Sequence, residues 1–221
     1  MLTTLFYTLF ALDQSLAQLA AEHSALVFVV LFGVIFAETG LVICPFLPGD
    51  SILFIAGTVA ASGGMNVHLL AVILAIAAVL GDSVNYGVGH YLGPMAFERP
   101  HKGILARALK PEYLAKTQSY YDRYGGFTII IGRFVPIVRT FAPFLAGIAQ
   151  MSYRRFLSYN VVGGLLWILG FIYAGYLFGN IPWVKKNLTL IVLGIIIVSI
   201  SPAVIQFLRE RRAMRKGRTT T

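Results

Sequence analysis

The sequence has few charged residues and a single cysteine. Charged residues make up 12% of the 221 positions and hydrophobic residues 57%, whereas a typical soluble domain is about 25% charged. We therefore predict an integral membrane protein without a separate soluble domain. Because Cys44 is alone in the sequence, an internal disulfide and a cysteine-based metal site are excluded. We expect neither a metal nor a cofactor.

Acidic residues are almost missing from the second half of the chain. After Asp122 the only acid is Glu210, whereas most of the basic residues follow Asp122, and the formal net charge is +9. A basic excess can indicate a nucleic-acid partner. Beside long apolar runs it is more typical of cytoplasmic flanks and of contact with anionic lipid headgroups. We therefore expect no nucleic-acid partner, and we place the basic tail at residues 209–221 in the cytoplasm.

The apolar runs predict an all-α fold, a polytopic helical membrane protein with two inverted re-entrant helical hairpins. A span needs about 20 residues, and the run at residues 25–61 has proline and glycine turn chemistry near its middle. This run is either a hairpin, which we favour, or two full spans. The predicted elements are an interfacial helix at residues 1–24 and a membrane transport domain at 25–208, with hairpins at about 25–61 and 127–151, spans at about 69–92, 156–178 and 188–208, and a surface helix within 93–124.

Prolines interrupt both predicted hairpins. Two five-residue segments match at four positions, 98 residues apart, and Pro136 precedes the second of them: Pro45-Phe46-Leu47-Pro48-Gly49 and Pro143-Phe144-Leu145-Ala146-Gly147. Proline removes a backbone donor and breaks a helix. A bilayer tolerates broken backbone only where it is buried in protein or lines a wet cavity. Two broken segments at corresponding positions are the best indication of a transporter binding site that a sequence offers.

Two arginines lie inside the second predicted hairpin. An arginine at the centre of a bilayer costs about 2.5–3.5 kcal/mol on insertion scales, so Arg133 and Arg139 need an explanation. A break at Pro136 would let both guanidinium groups converge on an anion such as a phosphate, with helix N-termini nearby. The alternatives are that the arginines reach the inner headgroups, or that they form structural salt bridges.

The membrane segments also contain three acids. Glu38 and Asp50 lie in the first hairpin and are candidate proton carriers, because burial favours the neutral form of a carboxyl group. They could equally be static counter-charges for the arginines. Asp82, Asn85 and Tyr86 share one face of the first full span and should point into the bundle. For Asp82 we favour a polar contact between helices over a role in carrying substrate.

Enzymatic motifs are missing from the sequence. It has no nucleophile elbow, no P-loop and no HExxH motif. A lipid-phosphate phosphatase would need a base or a nucleophile, usually histidine, close to the arginines, and no histidine lies near them in the sequence. We therefore predict that the protein is not an enzyme.

Four motifs together resemble the DedA family of membrane proteins. They are Phe36-Ala37-Glu38-Thr39-Gly40, the segment from Pro45 to Ser51, Gly81-Asp82-Ser83-Val84-Asn85-Tyr86, and the segment from Gly132 to Pro143. The resemblance covers roughly residues 25–208. It implies a bacterial inner-membrane protein with two re-entrant hairpins, related to lipid scramblases, whose functional acids and arginines map onto Glu38, Asp50, Arg133 and Arg139.

The resemblance and the buried charges predict a lipid transporter. The expected substrate is a polyprenyl phosphate such as undecaprenyl phosphate, or a similar anionic phospholipid, and movement is expected to be coupled to protons. Two other readings stay open: a proton-coupled antiporter for small cations or drugs, and a non-transporting assembly factor whose buried charges serve the fold. The chain is also expected to be multi-pass, and a homo-oligomer is possible.

Overall fold

The computed structural model describes residues 24–41, 49–63, 65–98, 126–187, 190–191 and 193–195. Within these residues it has no strand, residues 190–191 and 193–195 are helical, and seven further helices are α1 Ser24–Gly40, α2 Gly49–Ala61, α3 Val67–Glu98, α4 Phe127–Gly132, α5 Pro136–Ile148, α6 Tyr153–Phe178 and α7 Pro182–Lys186. Several predictions lie outside the described residues. These are the interfacial helix, Pro45, Pro48, the surface helix, most of the final span and the basic tail.

Helices α3 and α6 contain the two described segments that are long and apolar enough to cross a membrane. These segments, Val67–Leu92 and Tyr153–Phe178, have 26 residues each, which corresponds to about 39 Å of helix. The hydrocarbon core of a bilayer is about 30 Å thick. The two helices coincide with the spans predicted at residues 69–92 and 156–178, although α3 continues to Glu98.

Helix α3 exposes a continuous apolar stripe. The exposed side chains recur every three or four residues, the helical period, while the opposite side of the helix is buried. An apolar stripe of this length is suited to contact lipid chains. Its members are Leu69, Val72, Ile76, Leu80, Val84, Val88 and Tyr91.

Helices α1, α2, α4 and α5 are short pieces of two broken segments. Helices α2 and α5 have 13 residues each, about 20 Å, which is less than the thickness of the hydrocarbon core. Helix α4 ends at Gly132, and Val135 has extended backbone angles before Pro136 begins α5. The break therefore falls beside Pro136, as proline chemistry requires. Whether each broken segment enters and leaves the bilayer on one side stays a prediction.

The two broken segments pack in the same pattern. Helix α1 lies against α3 and α2 lies against α6, whereas α4 lies against α6 and α5 lies against α3. The first piece of each segment thus contacts the long helix that follows it, and the second piece contacts the long helix of the other half. The structure therefore has two equivalent halves, residues 24–98 and 126–178, that exchange their second pieces.

Close helix crossings show which residues of the two halves are equivalent. A side chain at Gly175 of α6 would overlap the backbone carbonyl of Phe54 in α2, and one at Gly89 of α3 would overlap the carbonyl of Phe144 in α5. Glycine allows such close approach because it has no Cβ. The structure thus relates Phe54 to Phe144.

Gly147 has a structural equivalent other than the one that the sequence match suggests. A Cβ on Gly147 would overlap the backbone of α3, and a Cβ on Gly57 would overlap the backbone of α6. A Cβ on Gly49, in contrast, would meet the Glu38 carboxylate. The packing therefore pairs Gly147 with Gly57, although Gly147 matches Gly49 in the sequence.

Candidate functional site

Five charged residues are buried in the described part of the chain. Each is at most 9% exposed, and they come from both halves of the chain: Glu38, Asp50, Asp82, Arg133 and Arg139. Uncompensated charges at such depth are costly, so they are expected to be paired. The structure pairs them in two neighbouring groups.

The first group, the Arg139 subsite, consists of Arg139, Glu38, Asp50 and Trp167. Arg139 Nη1 donates to Asp50 Oδ1 at 2.9 Å, and Arg139 Nη2 donates to Glu38 Oε1. The indole of Trp167 donates from Nε1 to Asp50 Oδ1 at 2.8 Å, and the Arg139 Cζ atom lies 4.5 Å from the centre of the Trp167 rings. One guanidinium is thus held by two carboxylates and by the face of an aromatic ring.

The start of α2 is shaped for this contact. The Gly49 N–H donates to Glu38 Oε1 at 3.2 Å. A Cβ at Gly49 would overlap that carboxylate, so the position requires glycine. Asp50 lies in the first turn of α2, where the helix dipole stabilises a negative side chain. The end of α1 and the start of α2 thus present Glu38 and Asp50 to Arg139.

The second group, the Arg133 subsite, consists of Arg133, Asp82 and Asn160. Arg133 Nη2 donates to Asp82 Oδ2 and to Asn160 Oδ1. Asn160 Nδ2 donates to the Val79 carbonyl of α3 at 3.1 Å, which fixes the orientation of the amide. This guanidinium therefore has one carboxylate partner and one neutral partner.

Glycines form the floor of the Arg133 subsite. A Cβ added at Gly163 would lie 3.2 Å from Arg133 Cδ and 3.3 Å from Arg133 Nε, and one at Gly164 would lie 3.5 Å from Arg133 Nη2. The side chain of Arg133 thus extends across two glycines of α6. Any larger residue at Gly163 would press on it.

Asn85 connects the two broken segments at the level of the ion pairs. Its Nδ2 donates to the Thr39 carbonyl at 3.1 Å and to the Thr140 carbonyl at 2.8 Å. Thr39 and Thr140 directly follow Glu38 and Arg139 in the chain. Asn85 therefore fixes the backbone next to both residues of the Glu38–Arg139 salt bridge. As predicted, its side chain points into the bundle.

Tyr86 belongs to a separate aromatic cluster. Its hydroxyl donates to the Met151 carbonyl, and its ring stacks on Phe156 with a centroid distance of 4.4 Å. His90 and Tyr153 contact the same ring. Tyr86 therefore joins α3 to the start of α6 and does not contact either arginine in the described interactions.

The structure revises the predicted pairing. Glu38 and Asp50 were possible partners of both arginines, but their described ion pairs are with Arg139 alone, and Asp82 is the counter-charge of Arg133. The two arginines do not converge on one carboxylate. Asp82 lies three residues before Asn85 on α3, and Asn85 donates to the Thr140 carbonyl next to Arg139, so the two subsites are neighbours and form one charged region.

Two residues of the site were missed as functional positions. Asn160 is a lone amide in an apolar span, a signal that could have identified it. Trp167 lies among apolar residues and resembles an ordinary core or lipid-facing tryptophan, so the sequence offers no signal for its role. Of the predicted supporting residues, Pro136 begins α5, Pro143 lies inside α5 and Gly147 lies at its crossing with α3.

Several polar atoms in the site lack a hydrogen-bond partner among the described residues. These atoms are Arg133 Nε and Nη1, Arg139 Nε, Glu38 Oε2 and Asp82 Oδ1. Buried polar atoms are normally satisfied. The guanidinium groups therefore have donor capacity beyond their carboxylate partners, and Arg133 has more of it than Arg139.

The three ion pairs described above each connect one half of the chain to the other. The carboxylates lie in residues 24–98 and the guanidinium groups in residues 126–178. Three carboxylates face two guanidinium groups among the described buried residues, so the fully ionised site would carry an excess negative charge. A movement between the halves must break these pairs.

Two apolar helices of membrane length, two broken segments and a buried ionic centre define a helical membrane protein built around an ion-pair site. The chain belongs to the VTT domain family, whose model matches residues 25–177. Within that family it is a DedA family member. No solved structure matches the chain.

Three relatives illustrate the family. Protein DedA of Escherichia coli strain K12 is 52% identical over 208 residues, which is 93% of each chain. An uncharacterized membrane protein of Mycobacterium leprae is 42% identical over 172 residues, 78% of this chain and 75% of the relative. Inner membrane protein YghB of Escherichia coli strain K12 is 38% identical over 172 residues, 77% of each chain.

Proposed function

We propose that the protein moves a polyprenyl phosphate, such as undecaprenyl phosphate, or a similar anionic phospholipid across the bacterial inner membrane, coupled to protons. The observation that carries the proposal is the pair of buried arginines, each with at least one N–H group that has no partner among the described residues. Guanidinium groups are the side chains best suited to bind phosphate. In this mechanism the headgroup occupies the charged region while the isoprenoid chain stays in lipid.

The described arrangement corresponds to a site closed by its own carboxylates. Each guanidinium is covered by at least one acid, so a phosphate must displace the acids in order to bind. The fully ionised site already has an excess negative charge, and a phosphate would increase it. Protonation of the carboxylates removes that repulsion. Anion entry and proton uptake are therefore linked by charge balance.

The same ion pairs link protonation to movement between the halves. Because every pair connects one half to the other, a protonated carboxylate loosens the contact that holds the halves together. Alternating access by movement of one repeat against the other is the common mode of transporters with broken helices. Glu38, Asp50 and Asp82 would then be the proton-responsive residues.

Reconstitution tests this proposal directly. Purified protein in liposomes is expected to accelerate the movement of a labelled polyprenyl phosphate between leaflets, and a pH gradient is expected to change the rate. Arg133→Ala should abolish the movement, while Arg154→Ala, an exposed arginine near the start of α6, should retain it. Equal transport by wild type and Arg133→Ala would remove the arginine from the mechanism.

A second candidate, a proton-coupled antiporter for small cations or drugs, is favoured by the excess of buried carboxylates. In that case Glu38 and Asp50 would bind the cation. Proteoliposomes would then show proton flux driven by a cation gradient, and Glu38→Gln would abolish it, in the absence of any lipid movement. Lipid movement without cation-driven proton flux would reject this candidate.

A further inference from the structure

The two buried arginines have different surroundings. Arg139 contacts two carboxylates and an aromatic face, whereas Arg133 contacts one carboxylate and one neutral amide. Arg133 Nε and Nη1 are both without a partner among the described residues, compared with Nε alone in Arg139. Less compensated charge and more free donors make Arg133 the stronger attractor for an added anion.

The residues around Arg133 also form a buried site in which the polar side chains are held in place. The Arg133 side chain is 2% exposed, so water screens its charge poorly. Gly163 and Gly164 let the Arg133 side chain lie directly against the backbone of α6. Asn160 is itself fully buried, and the Val79 carbonyl fixes its amide. Asp82 is therefore the only described carboxylate that an anion has to displace here.

We propose that the Arg133 subsite binds the phosphate monoester group of the substrate, with Asp82 as the carboxylate that the phosphate replaces and Asn160 as a neutral positioning residue. Asn160 keeps the guanidinium in place without adding a second negative charge. The Arg139 subsite, with its two carboxylates, serves to hold the two halves of the chain together. This assignment rests on the proposed function.

A relocated carboxylate tests the assignment. Asn160→Asp gives Arg133 two carboxylates, as in the Arg139 subsite, and is expected to weaken phosphate binding at neutral pH at least about tenfold, since like charges placed together are strongly unfavourable. Asp82→Asn is expected to strengthen binding. The double variant Asp82→Asn/Asn160→Asp restores a single carboxylate and is expected to bind within about threefold of wild type.

The control makes the same chemical change elsewhere. Asn66→Asp adds a carboxylate at an exposed turn, where the side-chain oxygen still accepts the His68 and Leu69 N–H groups. It is expected to bind like wild type. If Asp82→Asn does not fold because it leaves Arg133 unpaired, the double variant and Asn160→Asp still decide the question, since each keeps a carboxylate beside Arg133.

The binding measurement uses two probes on the purified full-length protein in detergent: farnesyl phosphate and inorganic phosphate, titrated by calorimetry. If both probes show the expected order of affinity, with Asn160→Asp weakest, the subsite recognises the phosphate group itself. The same order with farnesyl phosphate alone assigns it to a phosphate that carries a lipid chain. Either result supports the proposal.

Other results overturn it. If wild type binds farnesyl phosphate but Asn160→Asp binds equally well, or if Glu38→Gln raises affinity more than Asp82→Asn does, the phosphate is not bound at Arg133. That result would not overturn the proposed function, because the transport assay in liposomes tests the function separately. If wild type binds neither probe and moves no lipid, both proposals fall.

Discussion

At the scale of single residues, the site depends on Trp167. This side chain is fully buried, and it stabilises Asp50 through a hydrogen bond and Arg139 through the ring face. A tryptophan can do both because its N–H lies at the edge of the ring and its negative potential lies on the face. Trp167 therefore holds Asp50 and Arg139, the two members of one ion pair, in position relative to each other.

We predict that Trp167→Phe destabilises the protein by about 1.5–3 kcal/mol, the range for a hydrogen bond to a charged group. Phenylalanine keeps an aromatic face near Arg139 but cannot donate to Asp50. The melting temperature of the purified protein in detergent measures the effect. Trp183→Phe is the control, because Trp183 is 66% exposed, and an equal loss in both variants would contradict the role of Trp167.

Arg139 is expected to be more important for folding than an exposed arginine. Arg139→Ala leaves Glu38 and Asp50 buried without their shared counter-charge. Removing one partner of a buried pair typically costs about 3–5 kcal/mol. The amount of folded protein recovered from membranes should therefore fall sharply, whereas Arg155→Ala, which is exposed in α6, should leave it unchanged. Normal recovery of Arg139→Ala would show that the pair contributes little to stability.

At the scale of elements, close backbone contacts decide how the short helices lie on the long ones. Helix α5 approaches α3 at Gly89 and helix α2 approaches α6 at Gly175. These crossings orient the N-terminal ends of α2 and α5, and those ends present Asp50 and Arg139 to each other. The chemistry of the site thus depends on glycines that do not contact any charged group in the site.

We predict that Gly89→Val disrupts the crossing of α3 and α5. Its side chain would overlap the Phe144 carbonyl, and overpacking typically costs about 1–3 kcal/mol or more. Gly87→Val is a matched control on the same helix, because nothing lies within 4 Å of a Cβ at Gly87. The elution profile in size-exclusion chromatography should show loss of the monodisperse species for Gly89→Val alone.

At the scale of the whole molecule, three ion pairs join two equivalent halves. The helices repeat between the halves, but the charges do not, since acids lie in the first and arginines in the second. Packing can therefore be similar in two arrangements of the halves, while the ion pairs favour one arrangement. Such a difference is what a proton-dependent movement requires.

The distribution of basic residues predicts the orientation of the whole chain in the membrane. The basic tail at residues 209–221 favours a cytoplasmic C-terminus. A C-terminal green fluorescent protein fusion is expected to fluoresce in cells, and a C-terminal alkaline phosphatase fusion is expected to be inactive. The reverse result would invert the predicted orientation of every element, including the polar turn predicted at residues 62–68, which is expected to lie outside.

Composition alone established the membrane class and the helical fold. The low charge and the long apolar runs leave few other structures, because the backbone in lipid must satisfy its own hydrogen bonds. The sequence also identified Glu38, Asp50, Arg133 and Arg139 as the residues to explain, since buried charges in an apolar chain are costly. The break beside Pro136 follows from the chemistry of proline.

Only the tertiary structure decided which charges pair. The partner of Arg133 is Asp82, 51 positions away in the sequence, and the pair forms because α4 lies against α6 and α6 in turn lies against α3. The sequence match between Gly49 and Gly147 did not reveal that the packing pairs Gly147 with Gly57, since a local match carries no information about packing between distant helices. Side-chain identity determines which groups need a partner, whereas the crossing of helices determines which partner lies within reach.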